Sequence, residues 1–168
     1  MPNPKIYYNT PVKAESTMSY MLIAHGRFNP VNNSSLISKV EQLAGMGYTL
    51  RICTSCPAED VAYSAVPDQL KATHRERYIP YEGYNGYSSD DANVFVPTPQ
   101  LIADMAKDIP HDVTGKLLQG HHAVCMAMLG ASLDNHVDFI CLLPGSKLTR
   151  FAKELAISYG IKTFTLNS

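Results

Sequence analysis

From Val137 to Leu166 the chain reads VDFICLLPGSKLTRFAKELAISYGIKTFTL. An apolar run with little alternation (137–143) leads through Pro-Gly-Ser into Leu148, Phe151, Ala152, Leu155, Ala156 and Tyr159, which share one helical stripe. Gly160 and a second strand-like run, 161–166, follow. The unalternating run suits a strand buried on both faces. The stripe suits an amphipathic helix laid against it, ended by the glycine. A crossover of helix length joins neighbouring strands in parallel.

The same alternation runs upstream. Strands are expected at 20–26 (YMLIAHG), 48–53 (YTLRIC) and 77–81 (RYIPY). Leu36, Ile37, Val40, Leu43 and Ala44 recur at helical spacing between Ser34 and Gly47, and 58–66 reads as a short helix closed by Pro67. The Gly-, Asn-, Ser- and Asp-rich stretch 82–97 reads as a loop, and helices are expected near 98–108 and 114–133. In the second of these, apolar residues cover much of the circumference, and its methionines fill core gaps or form a self-association face. Strands alternating with helices predict an α/β fold, a parallel sheet with helices on both faces.

A chain of 168 residues suits one domain over 19–168, preceded by a Pro-rich polar arm at 1–18. Lys and Arg total 14 against 15 Asp and Glu. No global field therefore draws the protein to a membrane surface or to nucleic acid, whose non-specific binding relies on neutralising many phosphates. No apolar run approaches the roughly 18 residues of a membrane span, and the first residues lack a signal-peptide pattern. Four cysteines do not make a disulfide framework in a chain this long. A soluble cytoplasmic protein is expected.

In such a sheet ligands bind beyond the carboxyl ends of the strands. The loops there are HGRFNP (25–30), CTSCPAED (53–60) and PGSKLTR (144–150). Gly145 would let backbone approach a ligand, Ser146 would cap the next helix, and the amides of its first turn suit an anion. Lys147, Arg150 and Arg27 would add charge-assisted hydrogen bonds. The competing reading makes Gly145 only a turn and Ser146 only a cap.

Other features divide the same way. Cys53 and Cys56 form a CxxC, a metal or redox pair in one reading and two buried thiols in the other; with no partner motif at a matching spacing, no metal is expected. His121 and His122 would contact phosphate or base, or lie idle within a helix. Tyr78, Tyr81, Tyr84 and Tyr87, three residues apart, would form a platform for a base or pack a long loop onto the body. GRFNPVNNSSL is similar to a nucleotidyltransferase pattern but lacks both histidines that stabilise the transferring phosphates.

The segments HGRFNP…LISKVEQLAGMGYTLRICTSCPAEDVAYSAV, RYIPYEGYNG and LGASLDNHVDFICLLPGSKLTRFAKELAISYGIKTFTL together resemble small Rossmann-like proteins of the SLOG superfamily. That superfamily includes DNA-processing protein A-like and LOG-like groups and many short phage-encoded members. The resemblance covers most of the chain from about residue 20 onward. It implies a single doubly wound Rossmann-like domain with a mostly parallel sheet. It also implies a nucleotide or nucleotide-derived ligand, held by His25, Gly26 and Arg27 on one side and by Pro144, Gly145, Ser146, Lys147, Thr149 and Arg150 around its phosphate. Where LOG-type enzymes carry a catalytic glutamate after this motif the chain has Phe151 and Ala152, which argues against phosphoribohydrolase chemistry.

The expected function is therefore recognition without covalent chemistry and without a cofactor, in nucleotide metabolism or in sequestering a nucleotide signal. Two alternatives stand beside it. One is an enzyme acting on N-glycosidic bonds through Glu59, Asp60 or Glu82. The other is a degenerate relative that works through protein contacts, as a homo-oligomer, or on single-stranded DNA.

Overall fold

A computed structural model of the chain describes residues 18–26, 34–53 and 56–166. Six strands, β1 (Ser19–Ala24), β2 (Thr49–Ile52), β3 (Arg75–Tyr78), β4 (Val94–Phe95), β5 (Phe139–Leu143) and β6 (Lys162–Thr165), form one sheet in the order β4-β3-β2-β1-β5-β6. Every neighbouring pair is parallel. The described residues include five α-helices: α1 (Ser34–Gly45), α2 (Pro57–Ala65), α3 (Pro99–Met105), α4 (Gly115–Leu129) and α5 (Lys147–Ser158). This is the α/β, doubly wound Rossmann-like architecture expected. The chain steps outward from β1 to β4, then returns to the other side of β1 as β5, so the strand order reverses between β1 and β5.

β1 shows why its sequence does not alternate. Tyr20, Leu22 and Ala24 pack with Leu36, Val40 and Leu43 of α1 and with Ala58 and Ala62 of α2. Met21 and Ile23 point the opposite way, as the two-residue period of a strand requires, into Val124 and Met128 of α4 and Phe151 and Leu155 of α5. All six residues of β1 are buried, and each large apolar side chain so enclosed contributes about 1.5–3 kcal/mol. In α4 every residue from His121 to Leu129 is buried, because sheet, α5 and the α3 region enclose that half of the helix. Met126 and Met128 fill the core there.

The middle of the sheet also buries charge. Arg51 of β2, 4% exposed, donates from Nη1 to the carbonyls of Ala127 (3.2 Å) and Asn135 (2.9 Å) and from Nε to Glu76 (3.1 Å). It thereby supplies a cation to the negative end of α4. The same Glu76 oxygen accepts from the Tyr78 hydroxyl at 2.8 Å. On the other face Arg77 pairs with Asp60 (3.2 Å), and Arg75 and Arg77 lie 4.3 and 4.5 Å from the centre of the Tyr63 ring.

Three boundaries differ from expectation. β3 begins at Arg75 and ends at Tyr78 rather than spanning 77–81, because its charged residues are pairing positions. The loop 82–97 contains β4, a two-residue strand on β3. α4 stops at Leu129, where Gly130 takes φ +95. The expected arm lies, apart from Met18, outside the described residues. No described helix is long and apolar enough to cross a membrane.

Candidate functional site

The turns after β1 and β5 meet at the point where the strand order reverses. The His25 amide donates to the Leu143 carbonyl at 3.1 Å. Gly145 takes φ +144, and a Cβ there would sit 2.9 Å from Cδ2 and Cγ of His25. Glycine is thus required twice, for the backbone angle and for the ring against it. Gly26, Pro144, Gly145, Lys147 and Arg150 are exposed, while His25 and Ser146 are half-buried. Arg27 lies outside the described residues.

The start of α5 is closed by its own side chains. Ser146 Oγ accepts from the Thr149 amide at 3.1 Å, and Thr149 Oγ1 accepts from the amides of Ser146 (3.0 Å) and Gly145 (3.2 Å). This is a capping box with threonine in the third position. Thr149 is 1% exposed, so its hydroxyl shapes the turn instead of facing solvent. Of the first-turn amides, those of Lys147 and Leu148 lie outside the cap.

A second internal tie holds the ends of β1 and β2. Glu59, in the first turn of α2 and fully buried, accepts from the amides of Ala24 (3.3 Å) and Cys53 (3.1 Å) and from the Cys56 thiol (3.3 Å). Burial, then the nearby Glu59, pushes the Cys53 thiol well above its ordinary range. Cys53 and Cys56 are buried thiols, not joined in a disulfide, and the described residues hold no group of three His, Cys, Asp or Glu able to take a metal ion.

Beside the joined turns the carboxyl edge of the sheet opens into a cleft of about 330 Å³. Cys53 lies at its floor. Pro80, Tyr81, Tyr84 and Asn85 of the loop after β3 form one wall, Lys116, Gln119, Gly120 and Ala123 of α4 the other, and Leu148 of α5 joins it to the capped turn. Gly120 allows α5 to approach, since a Cβ would lie 2.8 Å from Leu148 Cδ1. The loop wall follows from EGYNGY. Gly83, Asn85 and Gly86 take φ of +86, +52 and +83, which glycine and asparagine tolerate best. Hydrogen bonds from Gly83 to Tyr87 and from Gly86 to Gly83, both 2.9 Å, close the bend.

The four spaced tyrosines part company. Tyr78 is core, stacked on Phe95 at 5.0 Å, and Tyr87 covers Arg77 at 4.0 Å. Tyr81 and Tyr84 face the cleft as an edge-to-face pair 5.4 Å apart. Burial raises the Tyr84 hydroxyl above its usual value, with Cys53, Tyr81, Glu59 and Asp60 adding to the effect, so it remains a donor at neutral pH. His121 and His122 lie within the fold. The His121 ring packs 4.1 Å from Phe151, with Nδ1 2.7 Å from the Leu117 carbonyl, and burial lowers the pKa of both.

None of the three candidate carboxylates lines the cleft among the described residues. Glu59 is enclosed, Asp60 pairs with Arg77, and Glu82 accepts from the Ser89 amide and hydroxyl at 2.7 and 2.6 Å. Those bonds hold the Glu82 carboxyl below its ordinary pKa. The α4 wall, Lys116 and Gln119, was not anticipated; its one sequence signal is Gly120, a mid-helix glycine marking close approach. A larger groove of about 670 Å³ lies on the open face of β5 and β6, lined mainly by Tyr48, Phe139, Phe164 and Leu166. It lacks the converging loops and helix start that the cleft has, and so is the weaker candidate despite its size. No family model, curated protein or solved structure matches the chain.

Proposed function

We propose that the chain is a SLOG-type binding protein that holds a nucleotide or nucleotide-derived ligand at the carboxyl edge of its sheet. The observation that carries this reading is the contact of His25 with Gly145, which joins the turns after β1 and β5 at the reversal of strand order. Doubly wound sheets bind their ligands at that place. Lys147 and Arg150 stand exposed on the first turn of α5, where the helix dipole adds to their attraction for a phosphate. Leu148, between them, lines the cleft, so an anion held at the turn would have the rest of its molecule directed into that space.

Recognition is favoured over N-glycosidic cleavage, because that chemistry needs a carboxylate beside the scissile bond and the cleft wall presents none among the described residues. Thermal-shift measurements against nucleotides, NAD, ADP-ribose and cyclic nucleotides test the reading. A ligand at about one hundred times its dissociation constant adds about 2.7 kcal/mol of stability. The shift should vanish in a Lys147→Ala, Arg150→Ala double variant. Absence of any shift would leave function through protein contacts, and steady release of free base from a bound nucleotide would establish the enzyme instead.

A further inference from the structure

We infer that the Tyr81–Tyr84 cleft is a base subsite and that the ligand is a mononucleotide, an inference that rests on the binding reading above. Tyr81 is 45% exposed yet belongs to a loop closed by its own hydrogen bonds, from Gly83 to Tyr87 and from Ser89 to Glu82. Its ring also packs edge-to-face on Tyr84 at 5.4 Å, so stacking a base on it costs less conformational freedom than ordering an unpacked side chain would. Nearly half of Tyr81 stays exposed beside its edge-to-face contact with Tyr84, so aromatic surface of Tyr81 remains toward the space it lines. Every nucleobase offers a π-face to such a surface.

Each wall adds a polar group to the aromatic surface, Asn85 beside the tyrosines and Gln119 opposite them. Gln119 and Asn85 both line the cleft and are exposed. Each carries a carboxamide that donates and accepts, the combination that reads the edge of a planar base. Size then limits the ligand. A space of about 330 Å³ stands at the small end of the roughly 300–1,000 Å³ of ligand sites, enough for one base and its sugar but not for two. Leu148 forms the end of the cleft nearest the capped turn, which sets the phosphate toward Lys147 and Arg150.

The chain has ten tyrosines and no tryptophan, so its emission is tyrosine emission, and the part lost in Tyr81→Leu reports on Tyr81 once absorption by the added base is corrected for. Binding of AMP, GMP, CMP, UMP, NAD and ribose 5-phosphate to the full chain should be followed by that emission and by calorimetry. At least one mononucleotide should bind tenfold or more tightly than ribose 5-phosphate and than NAD. Tyr81→Leu should remove that margin while leaving ribose 5-phosphate binding unchanged, and Tyr81→Phe should keep it. Ribose 5-phosphate binding as well as the best mononucleotide, or Tyr81→Leu weakening both equally, would overturn the base subsite and leave the phosphate site standing. NAD binding most tightly would overturn the mononucleotide assignment. Failure of every probe would overturn both readings together.

Discussion

Gly145→Ala tests the contact on which the site depends, because the substitution is opposed by two separable terms. The first is the backbone: φ of +144 is a conformation that L side chains rarely adopt, at a cost of about 1–3 kcal/mol. The second is steric. The new Cβ would lie 2.9 Å from Cγ and Cδ2 and 3.3 Å from Cβ of His25, and such overpacking costs about 1–3 kcal/mol. Atoms so near the histidine backbone cannot clear the space by swinging a side-chain tip, so the turns themselves must part. The single variant should lose about 2–6 kcal/mol in urea unfolding, with an unchanged dependence on denaturant. In His25→Ala the ring is gone, and adding Gly145→Ala should then cost only the backbone term. The double-mutant cycle should therefore show a coupling of about 1–2 kcal/mol. Additivity within about 0.5 kcal/mol would mean that the two turns do not touch, and the joined site would be refuted.

Three further outcomes follow from the buried polar groups. Arg51→Met should cost about 3–5 kcal/mol, because it strips Glu76 of its cation and leaves the Ala127 and Asn135 carbonyls without their donor; a urea midpoint close to that of the parent would refute the network. His121 and His122 have their pKa values lowered below 6.5 by burial. The unfolded chain therefore binds their protons first, and stability declines as pH falls below about 6.5. The loss between about pH 7.5 and about 5.5 should shrink in a His121→Gln, His122→Gln variant, and an identical loss would refute the assignment. Burial pushes Cys125 up to about 12 and Cys141 up to about 11, and Cys53 is raised as well. An aromatic disulfide reagent should leave the four buried thiols untouched in the native protein and take all four in urea; one fast native thiol would contradict this.

The layers were legible because burial writes a period into the sequence. β1 and β5 are enclosed on both faces and read as unbroken apolar runs, while α1 and α5 are enclosed on one and read as stripes. β3 was displaced because Arg75, Glu76 and Arg77 satisfy themselves through Tyr63, Arg51 and Asp60, partners that no local pattern announces. β4 is too short to show a period. That His25, Gly145 and Ser146 lie together at the carboxyl edge is legible from loop position alone, since strand ends and turn residues mark that edge. The roles of Glu59 and Thr149 were hidden for one reason. A carboxyl or hydroxyl that ties off amides across a turn looks, in sequence, the same as one offered to a ligand.

That ambiguity bears on the binding reading proposed above. Glycine-rich phosphate loops turn their backbone amides toward the anion. Here the amides of Gly145, Ser146 and Thr149 are taken by the capping box, and those of Ala24 and Cys53 by Glu59. These described amides face inward, onto acceptors of the chain itself, so they need no glycine to turn them toward an anion. In the binding reading proposed above, most of the affinity at such an edge would come from side chains: cations at Lys147 and Arg150, the aromatic ring of Tyr81, carboxamides at Gln119 and Asn85. Changes to those side chains should accordingly alter binding with little effect on stability, whereas changes to Glu59 or Thr149 should do the reverse.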